Sequence, residues 1–235
     1  GEQGALLMAK QSVKGAGKSG DGDPPVARRS APRRPLQERG RARFEALLDT
    51  VEAMLVDQEP DQIGFYQIAE RAGMAAASVY HFFPTKSAVF VALADRYFNH
   101  FRQAALEVPE DGDIRAWQDF VRARHRRAVA YYNAHPPAMK LILGAQPFLE
   151  IRSEDSSVNK EVSQQALAHI GRRFHLPRLV DPEMKFLISV SLADAVWRIS
   201  YTEHGCITEP YAAEATRATL AYLHTFLPEA LEPRG

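Results

Sequence analysis

From about residue 36 onward, apolar positions recur at intervals of three and four almost to the end of the chain. Phe44, Leu47, Leu48, Val51, Met54 and Leu55 define one buried face of a first helix. Glu59-Pro60-Asp61 closes it, and a short second helix is expected from about Phe65 to Ala72. Gly73 breaks that helix, and a third covers 75–82 before Pro84 forbids continuation. Thr85 can cap a long fourth helix, whose buried face holds Val89, Phe90, Leu93, Tyr97, Phe101 and Ala104 and which stops near Pro109. Further helices are expected over 113–134, 137–146, 156–175, 182–203 and 209–226, separated by Pro, Gly and Ser/Asp clusters. No stretch alternates convincingly as a strand, and no segment repeats. The fold class expected is all-α, with about nine helices.

Residues 65–82 carry a more specific pattern, because two short helices meeting at a sharp angle need a fixed set of small and apolar positions. Counting Phe65 as the first residue, Ala69 is the fifth, where only a small side chain fits. Gly73 is the ninth, where the turn favours a positive φ. Ile68, Ala72, Met74, Val79 and Phe82 fall at positions four, eight, ten, fifteen and eighteen, the apolar set that closes the unit. This spacing is that of a helix-turn-helix; an ordinary helical hairpin would share the glycine but not the joint register.

The stretch IAERAGMAAASVYHFFPTKSAVF (68–90) resembles the DNA-binding signature of the TetR family of bacterial transcription regulators. The resemblance implies a homodimer of nine-helix subunits in which helices one to three bind a palindromic operator and the last two form an intersubunit four-helix bundle. It also implies a small-molecule effector, of unknown identity, that relieves repression from the C-terminal domain. The domains expected are a disordered basic arm (1–35), a helix-turn-helix DNA-binding domain (36–84) and a ligand-binding and dimerisation domain (85–230). Tyr80 and Lys86 match the family's phosphate-touching aromatic and lysine, and a lysine beside a helix start adds charge to the free N–H groups there. Ser78 and His81 match positions facing bases or backbone, with Tyr66 and Gln67 beside them. The hydroxyls that the family commonly carries at Ala75 and near Gly64 are missing. Ala75, Ala76 and Ala77 allow close backbone approach to the groove and offer only methyl contact with thymine.

Charge changes the picture at the N-terminus. Net charge is zero over 235 residues, yet residues 1–44 hold ten Lys/Arg against four Asp/Glu and the remainder nineteen against twenty-five. Arg33, Arg34, Arg39 and Arg41 precede or open the first helix, where an arm could lie along phosphates or enter the minor groove. Residues 1–27, rich in Gly, Ser, Lys and Asp, read as a disordered tail. GAGKSG (15–20) is not a phosphate loop: Ser12 stands where the first glycine is required, and no apolar strand precedes it. No run of about 18 uncharged apolar residues is present, which points to a cytoplasmic protein without a membrane span.

The C-terminal half offers volume but little chemistry. Trp117, Val121, Arg124, Ala128 and Tyr132 share one helical face, with Met139, Phe148 and Trp197 as candidate neighbours. The stripe is either plain core or the wall of a ligand cavity. Arg124 on that face calls for an anion, from a ligand or from a protein acid. Asp194 and Arg198, in an otherwise apolar helix, stand at i, i+4 and are expected to pair with each other or across a dimer. Cys206 has no second thiol and reads as an ordinary core or surface residue. No metal-ligand spacing, nucleophile elbow or cofactor motif occurs, so no enzyme chemistry is expected. A DNA-binding protein with a structural or division-control role and no inducer is the alternative; a filled C-terminal core would favour it.

Overall fold

The computed structural model describes residues 31–107, 114–145 and 148–234. The disorder expected over 1–27, the GAGKSG stretch and the Pro109 stop lie outside those residues. The described residues form nine α-helices: α1 Glu38–Asp57, α2 Phe65–Arg71, α3 Ala76–Phe82, α4 Lys86–Leu106, α5 Trp117–Ala134, α6 Pro136–Ile142, α7 Leu149–Arg173, α8 Pro182–His204 and α9 Glu209–His224. A 3-10 turn, Pro60–Gln62, joins α1 to α2.

Local chemistry sets most of these boundaries. The Thr85 hydroxyl accepts from the Ala88 N–H at 3.2 Å and starts α4 as expected. Asp119 accepts from the Ala116 N–H at 2.9 Å and the Arg115 N–H at 3.1 Å, so α5 begins at Trp117 rather than at 113. Helix α7 departs most from expectation, starting at Leu149 instead of 156. The Ser153–Ser157 run that suggests a break is largely a polar, solvent-facing turn of the helix, while Ile151 and Val158, seven residues apart, carry the buried face through it. Helix α6 ends at Ile142, short of 146. Gly205, at φ +70°, ends α8.

Two hydrophobic clusters hold the chain together. The first packs Phe44, Leu47 and Val51 of α1 and Ile68, Val79 and Phe82 of α2 and α3 against Phe90, Leu93 and Tyr97 of α4, and continues through Met139 and Leu141 of α6. The DNA-binding unit and the body therefore share one core. Lys140 of α6 reinforces the junction, donating to the Gln58 carbonyl at 2.9 Å beyond the end of α1 and pairing with Glu59 at 3.0 Å. The second cluster lies at the far end, around Ile114, Trp117, Phe120, Ile170, Phe174, Phe186 and Leu227. The C-terminal segment closes it: the Trp117 indole N–H donates to the Pro228 carbonyl at 3.0 Å, and the His175 N–H donates to the Glu232 carbonyl at 2.8 Å.

Candidate nucleic-acid interface and effector cavity

The helix-turn-helix closes as its sequence requires. Gly73 takes φ +62°, and the Met74 N–H reaches back to the Ala69 carbonyl at 2.9 Å across the turn. Val79 and Phe82 turn inward onto α1, Phe82 meeting the Phe44 ring edge-on at 5.8 Å. The opposite side of α3 is left to solvent. Tyr80 is 47% exposed and packs its ring edge-on against Phe65, at 4.8 Å, beside Tyr66, which is 75% exposed. Two phenols thus stand side by side on one edge of the unit, held by contacts rather than loose.

The other expected contacts are placed unevenly. Ala75 and Ala77 face solvent, but Ala76 packs partly against the core, so two methyls of the three are available outward. No side chain caps the start of α3, as the missing hydroxyl at Ala75 implied. At the start of α2 no side chain caps the first turn; Gln67 accepts from the N–H of the N-cap Gly64 at 3.4 Å and donates to Gln58 at 3.4 Å. Its amide oxygen and one of its two N–H donors thus have partners within the protein. Ser78 accepts a 2.6 Å hydrogen bond from Arg43 of α1, which places that arginine beside the recognition helix. Arg43 follows Arg41 by two residues in the N-terminal arginines, although sequence spacing alone ties it to no partner. His81 is exposed at the end of α3, next to the Phe82 ring. Lys86 donates to the Asp61 carbonyl at 2.5 Å, using one of its three N–H donors.

The arm splits into two kinds of arginine. Arg34 pairs with Asp95 of α4 at 2.6 Å and lies over the Phe44 ring at 5.9 Å, while the Arg33 N–H donates to the Phe82 carbonyl at 2.7 Å. These contacts strap residues 33–34 across the end of α3. The side chains of Arg33, Arg39 and Arg41 are exposed.

Between the two hydrophobic clusters, in the body, is a cavity of about 140 Å³ walled by α4, α5, α7, α8 and α9. Val121, Arg124, Tyr132 and Trp197 line it, with Ala128. Trp117, Met139 and Phe148 do not: Trp117 is buried in the far cluster, Met139 in the shared core, and Phe148 stacks on Phe90 at 5.3 Å. Trp117 shares a helical face with the lining residues of α5, but its neighbours fill the space around it.

The polar lining differs from expectation. Among the described residues Arg124 finds no acid; it donates to the carbonyls of Val162 and Ala105, both at 2.9 Å, and burial followed by the charge of Arg127 lowers it to about 10. Asp194 forms no ion pair with Arg198. Its carboxylate turns into the cavity and accepts from Asn159 at 2.7 Å. Asp155 of α7 joins it there, unmarked in the sequence because it sits in the Ser/Asp run. Burial first, and then the Asp155 charge, raise Asp194 to about 7, and burial raises Asp155 to about 6. Burial holds His125, another lining residue, down to about 4. Cys206 is exposed.

Residues 47–93 match the model of the bacterial regulatory proteins of the tetR family. Solved structures similar to the chain include a TetR-family transcriptional regulator from Streptomyces coelicolor (24% identity, 79% of this chain and 98% of that one, TM-score 0.58). A TetR transcriptional regulator from Rhodococcus sp. RHA1 is similar over 80% of this chain and 97% of that one (21% identity, TM-score 0.56). SmeT, described as the repressor of the Stenotrophomonas maltophilia multidrug efflux pump SmeDEF, is similar over 80% and 90% (19% identity, TM-score 0.56). No curated protein matches the chain in sequence.

Proposed function

We propose that the chain, whose residues 47–93 match the tetR family model and whose fold is that of TetR-family regulators, is a dimeric transcriptional repressor released from a palindromic operator by a small molecule. The observation that carries the DNA side of this reading is the solvent-facing edge of α2 and α3. Tyr66 and Tyr80 stand there with Ala75 and Ala77, and Lys86 lies at the start of α4. Phenol hydroxyls and a lysine at this edge suit phosphate oxygens and set register, while the alanines admit the backbone to the groove floor. Arg33, Arg39 and Arg41 supply sequence-independent attraction from the flank.

The dimer reading rests on α8 and α9. Met184, Ile188, Ser191, Ala195, Ile199 and Thr202 form an exposed stripe along α8 at the spacing of one helical face. Ala213, Arg217 and Ala221 form another on α9. Small residues let helices approach closely, and isoleucine and methionine at such exposure suit a helical interface better than water. The cavity favours an effector-responsive protein over the alternative without an inducer, because a body with no ligand to bind would fill this space. Residues 36–84 then serve as the DNA-binding unit and 85–230 as the effector and dimer unit, in the cytoplasm where the operator is.

Selection of bound sequences from a random duplex library, followed by gel-shift titration, tests the function. The expected outcome is an inverted repeat bound by a dimer. Recovery of no common sequence would remove the operator reading.

A further inference from the structure

The cavity has two chemically different ends. Arg124 stands eight residues before Tyr132 on α5, about 12 Å along the helix, and Val162, whose carbonyl it binds, stands seven after Asp155 on α7, about 10 Å. The arginine end is satisfied by two backbone carbonyls. The other end holds Asp155 and Asp194, close enough that the charge of each bears on the Tyr132 hydroxyl. Two carboxylates present about eight acceptor sites. Among the described residues the side-chain amide of Asn159 is the hydrogen-bond donor they receive, and it goes to Asp194; Asp155 has none. Arg198 and Arg152 act on Asp155 through charge without donating a hydrogen bond to it, so most acceptor sites of the pair stay open. Trp197, 4% exposed and lining the same cavity, buries its indole N–H without an acceptor. The walls between are aromatic, with Tyr132 edge-on to Trp197 at 6.2 Å and Phe101 at 5.0 Å from Tyr132.

We propose that the effector is a small organic cation: a protonated amine on a compact aromatic or apolar body, its ammonium held between Asp155 and Asp194 and its body against Tyr132 and Trp197. The inference rests on the effector-release reading above and narrows it to a chemical class. An ammonium supplies the three N–H donors that the acid pair lacks, relieves the repulsion between two close carboxylates, and is attracted to aromatic faces. An anion placed there would face two acids. The volume of about 140 Å³ fits a one-ring molecule, since a cavity of roughly 150 Å³ holds benzene. A hydrogen-bond acceptor beside the amine would satisfy Trp197.

The test is calorimetric titration of the full chain with benzylamine, benzyl alcohol and benzoate near pH 8. Benzylamine is expected to bind at least about tenfold more tightly than either isostere, as a buried charge-assisted contact requires. Asp155→Asn and Asp194→Asn should each remove most of that preference. A second measurement needs no variant: benzylamine should weaken as pH falls from about 8 to 6 and the acid pair takes up protons, whereas benzyl alcohol should not. The other charged or titratable groups facing the pair are Arg152 on α7, Arg198 on α8, Arg124, His125, Arg127, Tyr131 and Tyr132 on α5, and His100 on α4. Burial raises both tyrosines, holds Arg124 at about 10 and lowers both histidines. Equal binding of benzyl alcohol or benzoate, no binding of any probe, or benzylamine affinity indifferent to both substitutions and to pH, overturns the proposal. Release of a library-selected duplex reads the regulatory function separately. Benzylamine bound with the duplex retained rejects effector release and keeps the cation site; a duplex released by benzoate alone does the reverse.

Discussion

Asp194 holds its proton in the folded chain up to about pH 7, against 3.8 for a free side chain, because burial and Asp155 both oppose its charge. Between those values the native state binds more protons than the unfolded state, so this residue's contribution to stability falls as pH rises. His125 and His169 act in the opposite sense. Burial holds each at about 4 against 6.5, so the folded chain binds fewer protons there and gains stability as pH rises from about 4 to 6.5. The difference between a variant and the parent isolates one term: the melting temperature of Asp194→Asn, relative to the parent, is expected to rise between about pH 5 and 8. A constant difference across that range would show that Asp194 is charged in the fold throughout. At the DNA edge, Lys86→Ala should weaken binding to specific and random duplexes alike and lower the slope of log affinity against log salt by about one unit. The Lys86 bond to the Asp61 carbonyl leaves two N–H donors for a phosphate. An unchanged slope would assign Lys86 to the protein's own structure.

At the scale of elements, the turn between α2 and α3 depends on one torsion. A Cβ at Gly73 would meet no atom within 4 Å, so crowding is not the issue; φ +62° is. Gly73→Ala is therefore expected to cost about 1–2 kcal/mol, the backbone penalty of the left-handed region, visible in chemical denaturation with the fold retained. Helix α3 itself offers little hydrogen-bonding reach. With Ala76 turned partly inward, Ala75 and Ala77 are the methyls that can meet thymine. Replacing operator thymines one at a time by uracil, in both half-sites, should locate a position that loses about 1 kcal/mol per half-site, the scale of one buried methyl group. Anisotropy titrations that find no such position would leave specificity to His81, Ser78 with Arg43, and DNA shape.

For the whole molecule, the deciding surface is the α8 and α9 face. Its exposed isoleucines lie outside both core clusters, so changing one should spare the fold of the subunit. Ile188→Glu is expected to give a monomer of unchanged helicity at micromolar concentration in ultracentrifugation, and to lose the operator affinity that two linked half-sites supply. A dimer that survives this substitution together with Ile199→Glu would move the interface elsewhere. The shared core, tied by Lys140 to the end of α1, also joins the helix-turn-helix to the body, because α6 packs on α1 and α5 at once.

The helices and their turn were legible in the chain because they depend on near neighbours. The i, i+3, i+4 stripe of α1, the Thr85 cap and the fifth and ninth positions of the helix-turn-helix each act within one or two turns of backbone, and the structure places them where those rules require. The Ser/Asp run at 153–157 does not break α7, because Ser153, Ser156 and Ser157 face water while Ile151 and Val158 anchor the other face of the helix. Which side chains share the cavity was decided by packing between elements far apart in sequence. Trp117 and Tyr132 lie on one helix face, yet the C-terminal segment covers the first and α8 leaves space beside the second. Asp155 and Asp194 are 39 residues apart, and only the packing of α7 against α8 turns two ordinary acids into one buried pair. Periodicity can say that a residue faces inward; what it faces is set by the helix that arrives opposite.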